Sequence, residues 1–360
     1  MKRVLVTGAG GPAGINFIMS LKIAPEKIYI VGIDANSYRI YLSPADISYV
    51  VPPATASNYI DELNSIICKE RIDLVHPQPD IEVKVISENK DKLGCNVFLP
   101  SKRTITICQD KLRATEIWIK KGIPTARAIK IESEKDIEKA FEMFGVPIWI
   151  RARHGAGGRG STPAYNKEMA MNWIRYWRNR RKQWEFIAQE YLGGRNFAFH
   201  SIWKEGELVT SMARERLEYI YPHLTPSGIT GTPAVQRTIH NEMVNKIATE
   251  AVLAIDPNFS GIACVDMKEN REGVPCVTEI NAGRMFTTSF FFSFASKKIL
   301  GNYIANFPYL YVKLAYNEKL PNIPKYNVLP EGIYWIRHID APGRLVFNGK
   351  VLGEMYRFCG

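Results

Sequence analysis

Apolar residues in the first hundred positions fall in short runs that end at glycine or polar turns and alternate with stretches of helical spacing. Val4, Leu5 and Val6 run into Thr7-Gly8-Ala9-Gly10-Gly11-Pro12-Ala13-Gly14 and then an apolar helical pattern, which predicts strand, glycine turn and helix. A second strand, Ile28 to Ile33, ends at Asp34. A helix over Tyr59 to Glu70 is followed by a strand, Ile72 to Val75, that breaks at His76-Pro77-Gln78-Pro79-Asp80. Another helix and a strand, Val97 to Leu99, complete the unit. Such alternation predicts an α/β region with a small parallel sheet covered on both faces. Ligands of such sheets sit at the carboxyl ends of the strands. Asp80 and Glu82 lie at one such end. Two readings stand for them: they hold an amine, or they are acids favoured at a helix N-terminus.

Beyond Pro100-Ser101 the pattern changes. Gln109-Asp110-Lys111 starts an amphipathic helix that stops at Gly122-Ile123-Pro124-Thr125. A further helix leads to the apolar strand Val146, Ile148, Trp149, Ile150, which ends in Arg151 and runs into a loop carrying Gly155, Gly157, Gly158, Gly160 and Ser161. Glycines leave successive backbone N–H groups uncovered, and such amides can wrap a polyphosphate. The plainer reading is a mobile hairpin loop. Lys111 supplies the second cation that a triphosphate needs beside Arg151. Between Tyr165 and Trp184, Arg175, Arg178, Arg180, Arg181 and Lys182 interleave with Trp173, Tyr176 and Trp177. This stretch reads either as a nucleic-acid patch with stacking platforms or as an amphipathic lid helix with a solvated cationic face. The second is favoured because Trp173 and Trp177 share a helix face.

Phe186 to Gly194 reads as a strand entering a glycine turn at Glu190-Tyr191-Leu192. Strands at Phe197 to Trp203 and Leu208 to Arg214 lead to Arg214-Glu215-Arg216, and the loop His223 to Pro233 has no period, placing it on the surface unless it borders a substrate. After a helix over Asn241 to Ala254 come two apolar strands bearing acids: Asp266 in Ser260 to Met267, and Glu279 in Val274 to Ile280, with Asn281 two residues on. A charge inside an apolar strand is costly unless it is paired or bound to metal. Alternation puts Glu279 and Asn281 on one side, opposite Asp266 if the strands pair as a hairpin. Three oxygen ligands suit Mg2+ (or Mn2+), with phosphate oxygens and water completing the shell. The alternative is an acid paired with Arg151 or Lys111 and no metal.

Composition narrows the classes. The 360 residues are 46% hydrophobic and 23% charged, as in a folded protein of two or three domains. No signal peptide or membrane span is evident, so a cytoplasmic protein with no membrane partner is expected. Six cysteines without a CxxC pair argue against a zinc site or a disulfide framework. The net charge of +11 favours polyanions generally, a nucleotide among them.

The opening turn with Asp34 resembles a Rossmann unit, which keeps an NAD(P)-dependent nucleotide-sugar epimerase or reductase open. The Tyr-x-x-x-Lys pair of such enzymes occurs once, at Tyr309 and Lys313, and reads as chance. A more specific resemblance comes from Asp110-Lys111 heading a helix that ends in Gly-Ile-Pro, a helix, a strand with Arg151, and the glycine loop. Over Val4 to about Leu314 the chain resembles the ATP-grasp superfamily, and within it a synthetase half of the carbamoyl-phosphate synthetase large chain.

That resemblance implies an α/β ATP-grasp fold. A Rossmann-like pre-ATP-grasp domain would cover 1–100, and an ATP-grasp domain 101–315, with a small α+β lid at about 122–188 and a larger α+β body at 189–315. A segment at 316–360 would pack on the body. It further implies that Lys111 and Arg151 touch the nucleotide phosphates under the glycine loop. Glu190, Tyr191 and Leu192 would read the adenine edge. Asn196 stands where the family commonly has a ribose-binding acid. Asp266, Glu279 and Asn281 would hold the metal, and Arg284 and Arg216 are the candidate catalytic residues. The family pattern is Glu-x-Asn-x-Arg, whereas Glu279-Ile-Asn281-Ala-Gly-Arg284 is one residue longer; Arg284 would steady the reacting groups or turn outward to a structural acid. The implied activity is that of an ATP-dependent carboxylate–amine or carboxylate–thiol ligase acting through an acyl phosphate, with small-molecule substrates and a homodimer allowed for. The alternatives are the epimerase or reductase and a non-catalytic nucleotide or RNA binder. No motif names the acceptor.

Overall fold

The β1 strand Arg3–Thr7 is buried almost along its whole length and pairs in parallel with β2 Tyr29–Asp34 on one side and β4 Leu74–His76 on the other. We describe residues 1–155, 158–180 and 184–354 from a computed structural model. β3 Ile47–Val50 and β5 Asn96–Val97 complete a five-stranded parallel sheet in the order β3-β2-β1-β4-β5. Helices α1 Pro12–Lys22, α2 Tyr59–Glu70 and α3 Asp80–Glu88 supply the crossovers. Strand β3 escapes the hydrophobic pattern because none of its four side chains is buried. Two predicted strands are shorter than the pattern suggests, since Leu99 is buried in the core beyond the ladder and Ile72 precedes it.

The connector is two helices. α4 Lys102–Gln109, capped by Ser101, runs into α5 Lys111–Lys120, capped by Asp110. A small antiparallel sheet follows, in the order β6-β9-β7-β8, from β6 Ala128–Ile131, β7 Ile148–Ala152, β8 Thr162–Ala164 and β9 Phe186–Glu190. Helices α6 Glu134–Phe144 and α7 Lys167–Arg180 cover it, and Ile137, Ala140, Ile148, Ile150, Ile174 and Phe186 form its core. Trp173, Trp177 and Trp184 pack against that core, and Trp177 stacks on Trp184 with centroids 4.5 Å apart. Arg175 meets Glu134 at 3.5 Å, and Arg178 donates to the Ile131 carbonyl at 3.3 Å. The interleaved tryptophans therefore serve the packing of α7; Arg181 and Lys182 lie outside the described residues.

The third sheet is antiparallel and eight-stranded, in the order β14-β13-β10-β11-β12-β15-β16-β17. Its strands are β10 Asn196–Lys204, β11 Glu207–Tyr219, β12 Pro233–Ile239, β13 Gly261–Glu269, β14 Pro275–Ala282, β15 Tyr334–His338, β16 Ala341–Phe347 and β17 Lys350–Glu354. The last three extend the sheet through β12–β15 pairing, so residues past 316 join the same ladder. Helix α8 Glu242–Ile255 covers one face. Helices α9 Ser289–Ala295 and α10 Phe307–Ala315 carry Phe290, Phe291, Phe292, Phe294 and Tyr311 into a core shared with α1 and Trp335. This aromatic layer joins the parallel sheet to the large sheet. Tyr309 and Lys313 lie on α10 with Lys313 paired to Glu318, which removes any role for them as a Tyr-x-x-x-Lys pair at the glycine turn. Among the described residues no helix is long and apolar enough to cross a membrane.

Candidate active site

The three sheets converge on a cleft of about 920 Å³. Its walls are the β1–α1 turn, the start of α3, the loop after β7, the end of β9 and one face of β10, β11, β13 and β14. Strand alternation decides which side chains enter it. Asp266 pairs directly with Glu279 across β13 and β14. Ala198 lies beside Asp266, and Arg214 beside Ala198, so one row across the sheet reads Glu279, Asp266, Ala198, Arg214.

Lys111 reaches this row because Asp110 is clamped. Arg153, just past β7, donates to Asp110 through Nε at 2.8 Å and Nη2 at 2.6 Å, while the Lys111 backbone N–H donates to the Arg153 carbonyl at 3.2 Å. Burial favours the neutral form of Asp110, but the Arg153 guanidinium outweighs it and holds the carboxyl below its ordinary range. The Lys111 Nζ then donates to the Gly155 carbonyl at 2.6 Å and lies 3.6 Å from Glu279. Arg151 Nη2 donates to Glu279 Oε2 at 2.6 Å and Nη1 to the Thr278 carbonyl at 3.3 Å. Burial lowers the Lys111 ammonium below its ordinary value, partly offset by Glu279. Burial would raise Glu279, but Lys111 and Arg151 together hold it well below the carboxylate range.

Asp266 is the opposite case. Burial raises its carboxyl, Arg216 opposes this, and the nearby Glu279 charge adds to the rise. Arg216 Nη2 donates to Asp266, and its Nη1 donates to Asn196 Oδ1 at 3.0 Å. Asn281 Nδ2 donates to Asp266 Oδ2 at 3.1 Å, and Asn281 Oδ1 accepts from Arg284 Nη2 at 2.5 Å. Arg284 Nε donates to Asp80 at the start of α3.

Lys111, Arg151, Asp266, Glu279, Asn281, Arg216, Arg284, Asn196, Gly158, Ser161, Glu190, Tyr191 and Leu192 all line this cleft. Gly157 lies outside the described residues. Gly160 does not line the cleft: a Cβ there would meet the Trp184 ring at 2.7 Å, and its carbonyl accepts from Trp173 Nε1 at 2.9 Å. It is a packing glycine rather than a phosphate-facing one. Asn196 is engaged at both ends, by Arg216 and by its own Nδ2–H donated to Tyr219 OH at 2.9 Å. The longer Glu279–Arg284 spacing does not turn Arg284 outward; it stays in the cleft and meets Asp80 from the N-terminal sheet. Glu82 is corrected as an amine ligand. It is only 5% exposed on the buried side of the first turn of α3, and burial, with Asp34 adding, raises its carboxyl to about 7.

Among the described residues no three His, Cys, Asp or Glu side chains converge as metal ligands. The oxygen set here is two carboxylates and one amide, which suits a hard cation such as magnesium. Asp266 and Glu279 are each already balanced by Arg216, or by Lys111 and Arg151. Phosphates and a metal arriving together can exchange those partners without leaving either charge uncompensated.

Sequence patterning missed several cleft residues. Loop residues Ser227, Ile229, Thr230 and Gly231 form part of the wall, which an aperiodic segment could not announce. Lys268, its Nζ 5.4 Å from the Tyr191 ring centroid, and Tyr219 lie beside Asn196. Arg214 also belongs to the cleft; its two-residue spacing from Arg216 was the available signal, because strand side chains two apart share a face.

Residues 4–98 match the family model described as PylC-like, N-terminal domain, and residues 110–184 match Carbamoyl-phosphate synthase L chain, ATP binding domain. The carbamoyl phosphate synthase large chain of Clostridium acetobutylicum is 22% identical over 257 residues, covering 68% of this chain and 23% of that one. The biotin carboxylase of Pseudomonas aeruginosa is 25% identical over 46% of this chain and 39% of its own. The chain thus spans well under half the length of these two relatives. A phosphoribosylamine–glycine ligase of Halalkalibacterium halodurans is 26% identical over 78% of this chain and 66% of its own. Among solved structures, the biotin carboxylase domain of Hydrogenobacter thermophilus 2-oxoglutarate carboxylase, in complex with MgADP, ADP and bicarbonate, superposes with a TM-score of 0.70 at 16% identity. That match covers 93% of this chain and 73% of the other. Carboxyaminoimidazole ribonucleotide synthase from Aspergillus clavatus, complexed with ATP, gives 0.69 at 16% identity over 93% and 81%. With Lys111, Arg151 and the paired acid strands gathered on one cleft, these matches give the chain the ATP-grasp fold of those structures, and over 110–184 it is similar to the ATP-binding domain of the carbamoyl-phosphate synthase large chain.

Proposed function

We propose that the chain is an ATP-dependent ligase that phosphorylates a carboxylate and passes the acyl group to an amine or similar nucleophile, with release of ADP and phosphate. The observation that carries this reading is the Lys111–Glu279–Arg151 cluster on the row that also holds Asp266. Two cations and two acids, all partly or fully buried, form a charge network whose members can be redistributed onto a polyphosphate and its metal. The match over 110–184 and the neighbours solved with MgADP or ATP support the same reading.

In this scheme Lys111 and Arg151 turn from Glu279 to the phosphate oxygens, a charge-assisted contact for each. Asp266, Glu279 and Asn281 would hold Mg2+ (or Mn2+), which supplies charge neutralisation on the transferring phosphoryl group. Glu190 to Leu192 would flank the base, and Asn196 with Lys268 the ribose side. Gly158 and Ser161 cover the phosphates. Arg216, freed from Asp266, and Arg284, freed from Asn281, steady the carboxylate during attack. A carboxylate oxygen attacks the terminal phosphorus and the bond to ADP breaks. The amine then attacks the acyl carbon and loses a proton, and phosphate departs carrying one substrate oxygen. The protein's part is positioning and fixed electrostatics. We assign the boundaries 1–100, 101–315 and 316–360, with the lid at about 122–188, as functional units on the same reading, and carry a cytoplasmic homodimer as part of it.

The test is magnesium-dependent ADP formation with pools of carboxylates and amines, followed, for the substrate found, by transfer of ¹⁸O from its carboxylate to the released phosphate. ADP formation with labelled phosphate is expected. Phosphate without the substrate oxygen would contradict the acyl-phosphate route.

A further inference from the structure

Arg214 sits on β11 at 1% exposure with no carboxylate partner among the described residues, yet it lines the cleft. Of the five N–H bonds in a guanidinium, Nε donates to His200 Nε2 at 2.8 Å and Nη1 donates to Thr288 Oγ1 at 2.9 Å. The remaining N–H groups have no hydrogen-bond partner among the described residues. Its Cζ lies 5.2 Å from the Phe286 ring centroid, and His200 stacks on the same ring at 3.5 Å. His200 is fully buried and held well below its ordinary pKa, so it meets the cation as a neutral acceptor. Two neutral acceptors and a ring face are a poor substitute for water around a buried charge. Lys111 and Arg151, by contrast, face Glu279, Arg216 faces Asp266, and Arg284 faces Asp80.

We propose that Arg214 anchors a carboxylate that survives the reaction, the α-carboxylate of an amino-acid substrate. This rests on the ligase reading, because the same molecule would bring the reacting amine or the second carboxylate to the phosphoryl group beside the row. A carboxylate matches the site in charge and shape. One guanidinium balances one negative charge, and its planar fork accepts a planar carboxylate through two parallel hydrogen bonds. A phosphate dianion would keep an uncompensated charge beside Phe286 and Cys264, which form the wall here. The spacing fits as well. Arg214 is separated from Asp266 by Ala198 alone, two strand spacings or about 10 Å, and both Arg214 and Asp266 line the cleft.

The experiment uses the full chain and equilibrium calorimetry. MgADP is titrated first into wild type and Arg214→Gln, and equal affinity is expected because Arg214 lies away from the phosphate cations. Each of the common L-amino acids is then titrated into the MgADP-saturated proteins, and each binder is compared with its own carboxamide. At least one amino acid should bind wild type, its carboxamide about ten- to a hundred-fold more weakly, the loss expected for a charge-assisted contact. Arg214→Gln should lose a similar factor for the acid and discriminate little between acid and amide, with Arg214→Lys intermediate. If Arg214→Gln does not fold, the acid–amide comparison on wild type still decides. No amino acid binding to a chain that binds MgADP, or amide bound as well as acid, would overturn the proposal while leaving the ligase reading intact. Absence of MgADP binding would count against the ligase reading instead, and the acid–amide comparison without nucleotide would then judge Arg214 by itself.

Discussion

Two glycine-rich turns reach the same cleft, one through Gly8, Gly11 and Gly14 and one through Gly155 and Gly158, and from sequence either could cradle phosphates. Their physical settings are opposite. In the first, a Cβ on Gly10 would stand 1.9 Å from the Arg39 carbonyl oxygen, and one on Gly14 would stand 2.3 Å from the Gly8 carbonyl oxygen. The glycines are there so that backbone can approach backbone. Their amides are already used: Gly10 N–H donates to Asp34 Oδ2 at 3.3 Å and Gly11 N–H to the Gly8 carbonyl at 2.9 Å. Beneath lie two buried acids, Asp34 and Glu82. In the second turn, nothing lies within 4 Å of a Cβ on Gly155, one on Gly158 would meet the Ile229 carbonyl oxygen at 3.0 Å, and the cations beneath are Lys111 and Arg151. On the ligase reading, the cations beneath the second turn, and not the glycine pattern that both turns share, set the phosphate site apart.

The largest effect is expected at the acid that holds the second turn's cations. Glu279→Gln should keep the fold and most nucleotide affinity but lower ADP formation about a thousand-fold or more, because a group that aligns the reacting phosphate acts mainly in the transition state. Single-turnover rates beside MgADP affinities would show it; near-normal turnover would make Glu279 a structural ion-pair partner only.

Glu82 sharpens the contrast on the other side. Its carboxyl is raised from an ordinary 4.5 to about 7, chiefly by burial. Between those values the folded chain keeps a proton that the unfolded chain has released, so this group lowers stability as pH rises through the window. The full cost above pH 7 is about 3 kcal/mol. Glu82→Gln should thus be more stable than wild type at pH 8 and nearly equal to it at pH 4.5, by urea unfolding. An equal difference at both values would show that Glu82 titrates normally.

Gly10→Ala should cost about 1–3 kcal/mol of stability through overpacking against the residue 39–40 backbone. In the remaining folded protein MgADP affinity should not change. A selective loss of nucleotide binding would move the phosphates to the first turn.

The acid strands were legible in the sequence because alternation within β13 and β14 is a local property, and the register that pairs Asp266 with Glu279 follows from their proximity in the chain. The Asp110-Lys111 start of α5 was legible for the same reason. The join of β12 to β15 was not, since it unites residues about a hundred apart in the chain, and β6 and β8 are short strands defined by partners from elsewhere. Gly160 was misread because its role depends on Trp184 across the lid core, and Arg214 was passed over because its lack of an acid is visible only when its neighbours are known.

The most direct test of which turn holds phosphates is calorimetric titration of MgADP into wild type, Arg151→Ala and Arg178→Ala. Arg151 lies on Glu279 at the cleft, whereas Arg178 serves the lid surface through the Ile131 carbonyl. Wild type and Arg178→Ala should bind alike, and Arg151→Ala should bind about ten- to a hundred-fold more weakly, the loss of one charge-assisted contact. Equal affinity in all three, or an equal loss in both variants, would contradict the account.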